Sequence, residues 1–374
     1  MSPSLPAQIA LSFADSLSRD YISLYDSTSV LPITDDPRAG PGEAGSFTQF
    51  IHVVPQLGTK PPIPLKTPDL SRVGKRDPFE GPEFGEGEKI VDLTASDGAT
   101  YSLVHNLHAL FREHIMAVPH FPPGAPFRPQ TSDLTQTDLE VAWRVVEAYE
   151  KEGREAVCFF NGGPLAGASQ AHLHLQFTPF QHGIPPACEA LARSLPFPPP
   201  SPSASSSAAQ VNGDAPTPTP TPAPARLPLP WVQFYLPLPP RPSPSPSSSS
   251  PSSAAADPSW LSALHTTYTS LLTASRAFLR TLPASSLPAE GPKRDSYNLF
   301  LTSRHMHLVP RTSRAVAVSR VASKGQGSED PFRLSLNGLL YLGYAFVASE
   351  EEARDLRGHG LARAFREAGY ANEE

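Results

Sequence analysis

Cysteine is scarce. Cys158 and Cys188 are the only two in 374 residues, too few for a disulfide framework and in keeping with a reducing compartment. No run approaches the ~20 apolar residues that a membrane-spanning helix needs, so no membrane partner is expected. An excess of basic charge is missing too. The formal net charge is -6, which argues against nonspecific binding to nucleic acid or to anionic lipid. Met1 to Ala10 has no basic segment leading into an apolar run, so no secretory signal is read there. The expected location is the cytoplasm, with the nucleus as the second compartment.

Proline, by contrast, is abundant and concentrated: the chain holds 46. From Pro196 to Ala256 the sequence is mostly Pro, Ser, Ala and Thr, broken by the apolar island Leu229-Pro230-Trp231-Val232-Gln233-Phe234. Such a composition buries too little apolar surface to offset the entropy of ordering. We read residues 196–256 as a disordered insert with an ordered strand near 229–238. The insert divides a foldable part into an N-terminal half, 1–195, and a C-terminal half, 257–374. Ile9, Phe13 and Leu17 mark one face of an N-terminal helix, and Phe47 to Pro55, Thr100 to Asn106 and His114 to Pro119 read as strands. Leu139, Ala142, Trp143 and Val146 define a helical face, with Thr135 and Asp138 as a capping box and Gly153 beyond its end. Asp257-Pro258 opens a second helix, and Ser349 with Glu352 a third.

The richest stretch is Asn161-Gly162-Gly163-Pro164-Leu165-Ala166-Gly167-Ala168-Ser169-Gln170-Ala171-His172-Leu173-His174-Leu175-Gln176-Phe177. It begins as a loop of small residues whose close-set backbone N–H groups suit an oxyanion. A polar/apolar alternation then reads as a half-buried strand. On a strand His172, His174 and Gln176 share one face, and Leu173, Leu175 and Phe177 the other. Three readings compete. The pair is a satisfied strand histidine beside a glycine turn; or two ligands of a zinc or iron site, for which Gln176 is a poor third; or a neutral imidazole nucleophile facing a phosphorus held by the loop. Only the last makes loop and strand predict each other, and it is preferred.

Asn161-Gly162-Gly163, Gly167-Ala168-Ser169-Gln170 and His172-x-His174-x-Gln176 together resemble the signature of the fungal ATP adenylyltransferases. These are the diadenosine tetraphosphate phosphorylases, a branch of the histidine-triad superfamily. The resemblance implies an α/β (α+β) fold in which two related histidine-triad-like halves share an antiparallel sheet flanked by helices. It implies a nucleotidyltransferase working by a ping-pong route. His174 takes AMP from diadenosine tetraphosphate and expels ATP, and inorganic phosphate then carries the AMP away as ADP. Gln176 is expected to donate to a nonbridging phosphate oxygen and His172 to orient the nucleophile. Gly167, Ala168, Ser169 and Gln170 would complete the cradle, and Asn161 would position the α-phosphate or ribose. No tightly bound cofactor or protein-held metal is implied, magnesium arriving with the nucleotide if at all. A histidine-triad hydrolase and a noncatalytic nucleotide-binding module are the alternatives.

The same resemblance points to Lys60 in Lys60-Pro61-Pro62, to Asn106, and to Asn298, Arg304, Met306 and Arg311 as further nucleotide or phosphate contacts. Asp77-Pro78-Phe79 also echoes the family. Two departures stand out. Leu107 occupies the place of a lysine, and His305 that of an aromatic. His305-Met306-His307 is a second His-x-His; no glycine-serine loop precedes it, so it is read as structural.

Overall fold

The computed structural model describes residues 3–35, 47–59, 79, 87–121, 127–196, 222–241, 257–288, 295–320 and 330–372. Its centre is a nine-stranded sheet in which every neighbouring pair is antiparallel. In spatial order the strands are Ala225–Arg226, Phe234–Pro237, His305–Pro310, Tyr297–Leu301, Ala156–Gly162, Leu175–Pro179, Ile115–Pro119, Thr100–His105 and Lys89–Thr94. The expected island in the proline-rich segment supplies Phe234–Pro237, paired with His305–Pro310; its flanks lie outside the described residues.

The two halves repeat one plan and meet at the middle of the sheet. Helix Gln136–Lys151 leads into Ala156–Gly162 and on to Leu175–Pro179, and helix Pro258–Thr281 leads into Tyr297–Leu301 and on to His305–Pro310. The leading strands of the two halves pair with each other, with Asn161 opposite Asn298. Both helices start where their caps predict. Thr135 and Asp138 form a complete capping box, and Asp257 accepts from Ser259 N with Pro258 at the first helical position. At Ser349 only half of the expected box forms: Ser349 accepts from Glu352 N, while the Glu352 carboxylate turns to Ala348 N.

Strand alternation sorts the side chains onto two buried faces. On one, Leu173, Leu175, Phe177, Cys158, Phe160, Leu299, Met306 and Leu308 pack under the two long helices, whose Trp143 and Trp260 rings lie 4.7 Å apart. On the other, Val157, Phe159, Phe300 and Val309 meet helix Ala187–Ser194 and the C-terminal helices Gly338–Tyr341, Glu350–His359 and Leu361–Ala368. A small sheet of Ser29–Asp35, Phe47–Val53 and Tyr344–Val347 also joins that second layer. A face buried at this depth needs every polar group partnered. It is nonetheless the face that carries the polar residues of interest. No described helix is long and apolar enough to cross a membrane.

Candidate active site

The regular strand is shorter than the alternation predicts. It begins at Leu175, and His172 makes only an isolated bridge to Pro129. The reason is a competing partner. Instead of another strand, the segment before Leu175 meets the loop at 128–130, through Leu173 N to Arg128 O and Gln130 N to Ala171 O. The side-chain sorting survives, with Leu173, Leu175 and Phe177 in the helix-covered core and Gln176 opposite Phe159 on the other face.

Gln130 is the hub of this junction, and sequence reasoning missed it. Its amide oxygen accepts from His174 N at 2.7 Å, and its amide nitrogen donates to the carbonyls of His174 and Asn161, each at 3.2 Å. A single buried side chain thus ties the histidine segment to the central strand. The loop bearing it is clamped by Arg128, whose guanidinium grips the buried Asp138 carboxylate at 3.0 and 2.8 Å.

The His174 ring is buried, and its Nδ1 lies 2.9 Å from the carbonyl of His172. A carbonyl only accepts, so Nδ1 carries the proton and Nε2 keeps its lone pair. No hydrogen-bond partner of Nε2 stands among the described residues. Burial lowers the His174 pKa to about 4, outweighing the opposing effect of the carbonyl bond, and the neighbouring His172 adds a smaller push in the same direction as burial. The ring is therefore neutral near pH 7. The contact from His172 comes from its backbone carbonyl, not from its ring. The His172 ring stacks on Phe127 at 4.9 Å and meets Phe79 and Phe121, each at 5.5 Å. Phe79 also lies 5.9 Å from His174, while Asp77 and Pro78 fall outside the described residues.

Gln176 is aimed by a second residue that the sequence did not reveal. Its amide oxygen sits 3.1 Å from His114 Nε2, and burial lowers the His114 pKa to about 4. Neutral His114 donating from Nε2 fixes the Gln176 amide so that its NH2 group points away, free to donate elsewhere. Asn106 Nδ2 lies 3.4 Å from the same His114 nitrogen, which donates to Gln176 and so accepts nothing from it; the Asn106 amide oxygen accepts from His108 N instead.

The glycine loop is built by close approach as much as by turn geometry. Gly163 and Gly167 take positive φ, 91° and 87°, and a Cβ on Gly167 would stand 2.7 Å from Leu336 O and from Asn337 Cβ. The loop rests on Leu336 and Asn337 of the C-terminal half. Leu165 N donates to Ser296 Oγ at 3.2 Å. Past Gly167 the backbone turns outward: Ser169 is exposed, and the N–H groups of Ala168, Ser169 and Gln170 find no acceptor among the described residues.

Other expected contacts sit elsewhere. The Asn161 side chain serves the scaffold, accepting from Asn298 Nδ2 at 2.8 Å and Gly338 N at 2.9 Å. Asn298 is buried in the same network, its Nδ2 also bonding Ala166 O at 2.9 Å. Arg311, read from the sequence as a phosphate contact, is fully buried. Its donors reach Asn298 Oδ1, Ala368 O, Ser313 O and Leu336 O, and its guanidinium lies over Tyr341. Four of its five N–H donors are taken and the side chain has no exposed surface, so it offers no face to a nucleotide. Met306 is also misplaced by the sequence reading, because it packs in the helix-covered core on the opposite face. Arg304 is exposed in the turn after Tyr297–Leu301, at the end of that strand away from Asn298 and the glycine loop. Lys60 lies outside the described residues. Leu107 is 39 % exposed.

Comparison with known proteins finds matches in both halves of the chain. A family model described as "Ap4A phosphorylase N-terminal domain" matches residues 92–190, and one described as "ATP adenylyltransferase C-terminal domain" matches residues 228–371. In Saccharomyces cerevisiae, "Protein APA1" is 29% identical over 175 residues, 46% of this chain and 50% of that protein. "Diadenosine 5',5'''-P1,P4-tetraphosphate phosphorylase 2" of the same yeast is 29% identical over 148 residues, 36% of this chain and 42% of that protein. The matches thus span about half the length of these relatives. Among solved structures, yeast Ap4A phosphorylase Apa2 in complex with AMP superimposes with a TM-score of 0.67 at 20% identity, covering 100% of this chain and 98% of that one. Its complex with Ap4A gives 0.64 at 20% identity, covering 100% of both chains. With matched sequence in both halves of the sheet and the whole architecture in common, the chain belongs to the ATP adenylyltransferase, or Ap4A phosphorylase, family.

Proposed function

We propose that this chain is a nucleotidyltransferase that splits diadenosine tetraphosphate with inorganic phosphate into ATP and ADP, and runs the reverse reaction, through an AMP–histidine intermediate on His174. The observation that carries the reading is the tautomer of His174. With Nδ1–H committed to the His172 carbonyl and the ring held neutral by burial, Nε2 offers a lone pair and no competing proton. In the first step Nε2 attacks the α-phosphorus, a P–N bond forms, and the P–O bond to ATP breaks. In the second, a phosphate oxygen attacks the same phosphorus, the P–N bond breaks, and ADP leaves. Dividing one displacement into two lets the same pocket serve the leaving group and the acceptor.

Charge develops on the nonbridging oxygens in both steps. The NH2 group of Gln176, aimed by His114, and the N–H groups of Ala168, Ser169 and Gln170, which meet no acceptor among the described residues, can meet it. Loss of one such donor costs on the order of a hundredfold in turnover. Diadenosine tetraphosphate, ATP, ADP and phosphate are the proposed ligands, with magnesium reaching the site on the nucleotide.

Incubation with α-labelled diadenosine tetraphosphate and no phosphate is expected to leave acid-labile AMP on the protein, and added phosphate should discharge it as ADP. His174→Ala should abolish labelling; undiminished labelling of that variant ends the assignment. ATP and AMP released without phosphate would show that water is the acceptor, as in a hydrolase.

A further inference from the structure

Because the two halves repeat one plan, the strand in the second half that corresponds to Leu175–Pro179 is His305–Pro310. It too carries a His-x-His, and one row runs across the sheet from His307 through Phe300 and Phe159 to Gln176. All four residues therefore stand on the same face. Three strand spacings of ~4.8 Å put His307 roughly 14 Å from Gln176, with two phenylalanines between. This second pair is remote from the proposed nucleophile and plays no part in its chemistry.

Facing it is Glu189 of helix Ala187–Ser194, fully buried. Its carboxylate lies 3.1 Å from His307 Nε2 and 3.2 Å from His305 Nδ1, and all three potential ligand atoms fall within 4.8 Å of one another. We propose that Glu189, His305 and His307 form a binding site for one divalent transition ion, zinc or ferrous iron, that fastens the first half of the fold to the second.

Three features favour an ion over a mere hydrogen-bonded cluster. The donor set of two imidazoles and a carboxylate suits a borderline divalent metal. Bonds of ~2.0–2.2 Å to a tetrahedral ion place ligand atoms roughly 3.4 Å apart; the two Glu189–histidine distances fall only a few tenths of an ångström short of that, and all three atoms lie within 4.8 Å of one another, with the remaining corner left for water. The charge also calls for one. Two carboxylates, Glu189 and Glu155, face the single guanidinium of Arg193, which Glu155 already holds at 2.5 and 3.2 Å while Arg193 Nε reaches Glu189 at 2.8 Å. Glu189 can turn to a metal and leave Arg193 partnered.

An outer layer is in place as well. The far nitrogen of His307, Nδ1, lies 3.5 Å from Gln233 Nε2, and the Gln233 amide is held in place by its oxygen, which accepts from Trp231 Nε1 at 3.1 Å. The Tyr235 ring stacks on His307 at 6.1 Å. The His305 side chain, 13% exposed, gives the ion a route from the surface.

The test uses the full chain, purified after expression with added zinc and, separately, with added iron under anaerobic conditions. Metal content is measured by mass spectrometry and thermal unfolding is followed with and without a chelator. We expect ~1 ion per folded chain and a fall in Tm on chelation. His305→Phe and His307→Gln should each reduce the metal to a trace and remove the chelator effect. His305→Phe, at the rim and beside Tyr235, keeps the test valid should the core variant fail to fold. A folded parent chain that retains neither metal, or a His305→Phe chain that retains as much as the parent, overturns the proposal.

Discussion

Gln130 provides the sharpest test of how the proposed nucleophile is held. Gln130→Met keeps the length of the side chain and removes its amide. Three buried groups then lose their partner: His174 N, His174 O and Asn161 O. An unmet buried backbone group costs ~1–3 kcal/mol, so the variant should lose ~3–9 kcal/mol of stability. For a chain of this size, that lowers Tm by roughly 4–11 °C. The kinetic effect should be larger than stability alone suggests. The backbone of His174 is anchored by this amide, and its ring by a bond to the neighbouring His172 carbonyl. Releasing the anchor lets the ring move, and a displacement of ~1 Å costs on the order of a hundredfold in rate. Gln130 faces the histidine segment and not the nucleotide, so kcat should fall while KM holds. Phosphate-dependent release of ATP and ADP from diadenosine tetraphosphate, assayed well below the variant's Tm, reads this directly. Gln130→Glu makes a second probe. It preserves the acceptor for His174 N but sets a carboxylate against two carbonyl oxygens, and should be no better than Met. A folded Gln130→Met protein with kcat within about twofold of the parent would refute the reasoning.

Formation of the AMP–enzyme should be insensitive to acid over an unusual range. With the His174 pKa lowered from 6.5 to about 4, the rate stays level from about pH 8 to about pH 5 and falls only beyond that; halving at pH 6.5 would contradict it. Stability should behave differently. Burial lowers His52, His105, His114 and His174 each to about 4, so between pH 6.5 and that value the unfolded chain binds protons that the folded chain does not. Stability is complete above pH 6.5, is lost as the pH drops through that window, and levels off below it, which a series of Tm measurements will show. Gly167→Ala meets both a φ of +87° and a contact of 2.7 Å with Leu336 O, and should cost ~2–5 kcal/mol. Gly183→Ala has a φ of +69° but open space and should cost only ~1–2 kcal/mol, so chemical denaturation of the pair separates strain from clash.

How much of this could be read in the sequence depended on the range of the interaction. Alternation at 172–177 is local, and it sorted Leu173, Leu175 and Phe177 from Gln176 correctly even though the regular strand starts only at Leu175. Caps are local too, and Thr135 and Asp257 stand where they were expected. The sequence misjudged residues whose meaning comes from sheet register. Arg311 looks like a phosphate ligand in any short window. Only the tertiary fold, which brings Asn298 and the carbonyls of Ser313, Leu336 and Ala368 around it, shows that four of its five donors are taken.

Gln130 and His114 were missed for the same reason, because neither lies in a motif. Each acquires its role by meeting the histidine segment across 44 and 62 residues of chain, respectively. The register argument applies with equal force to the second His-x-His. Read alone, His305-Met306-His307 lacks a glycine loop and therefore lacks a phosphate. What it gains is a carboxylate 116 residues away along the chain, delivered by the helix that follows the first histidine strand. A duplicated half-sheet offers two equivalent strands on one polar face, and the loop or helix brought against each decides its chemistry. Backbone N–H groups beside His174 suit an anion, whereas a buried carboxylate beside His305 and His307 suits a cation. The same dipeptide spacing can thus serve opposite charges within one sheet, and the neighbouring segment, not the motif, makes the difference.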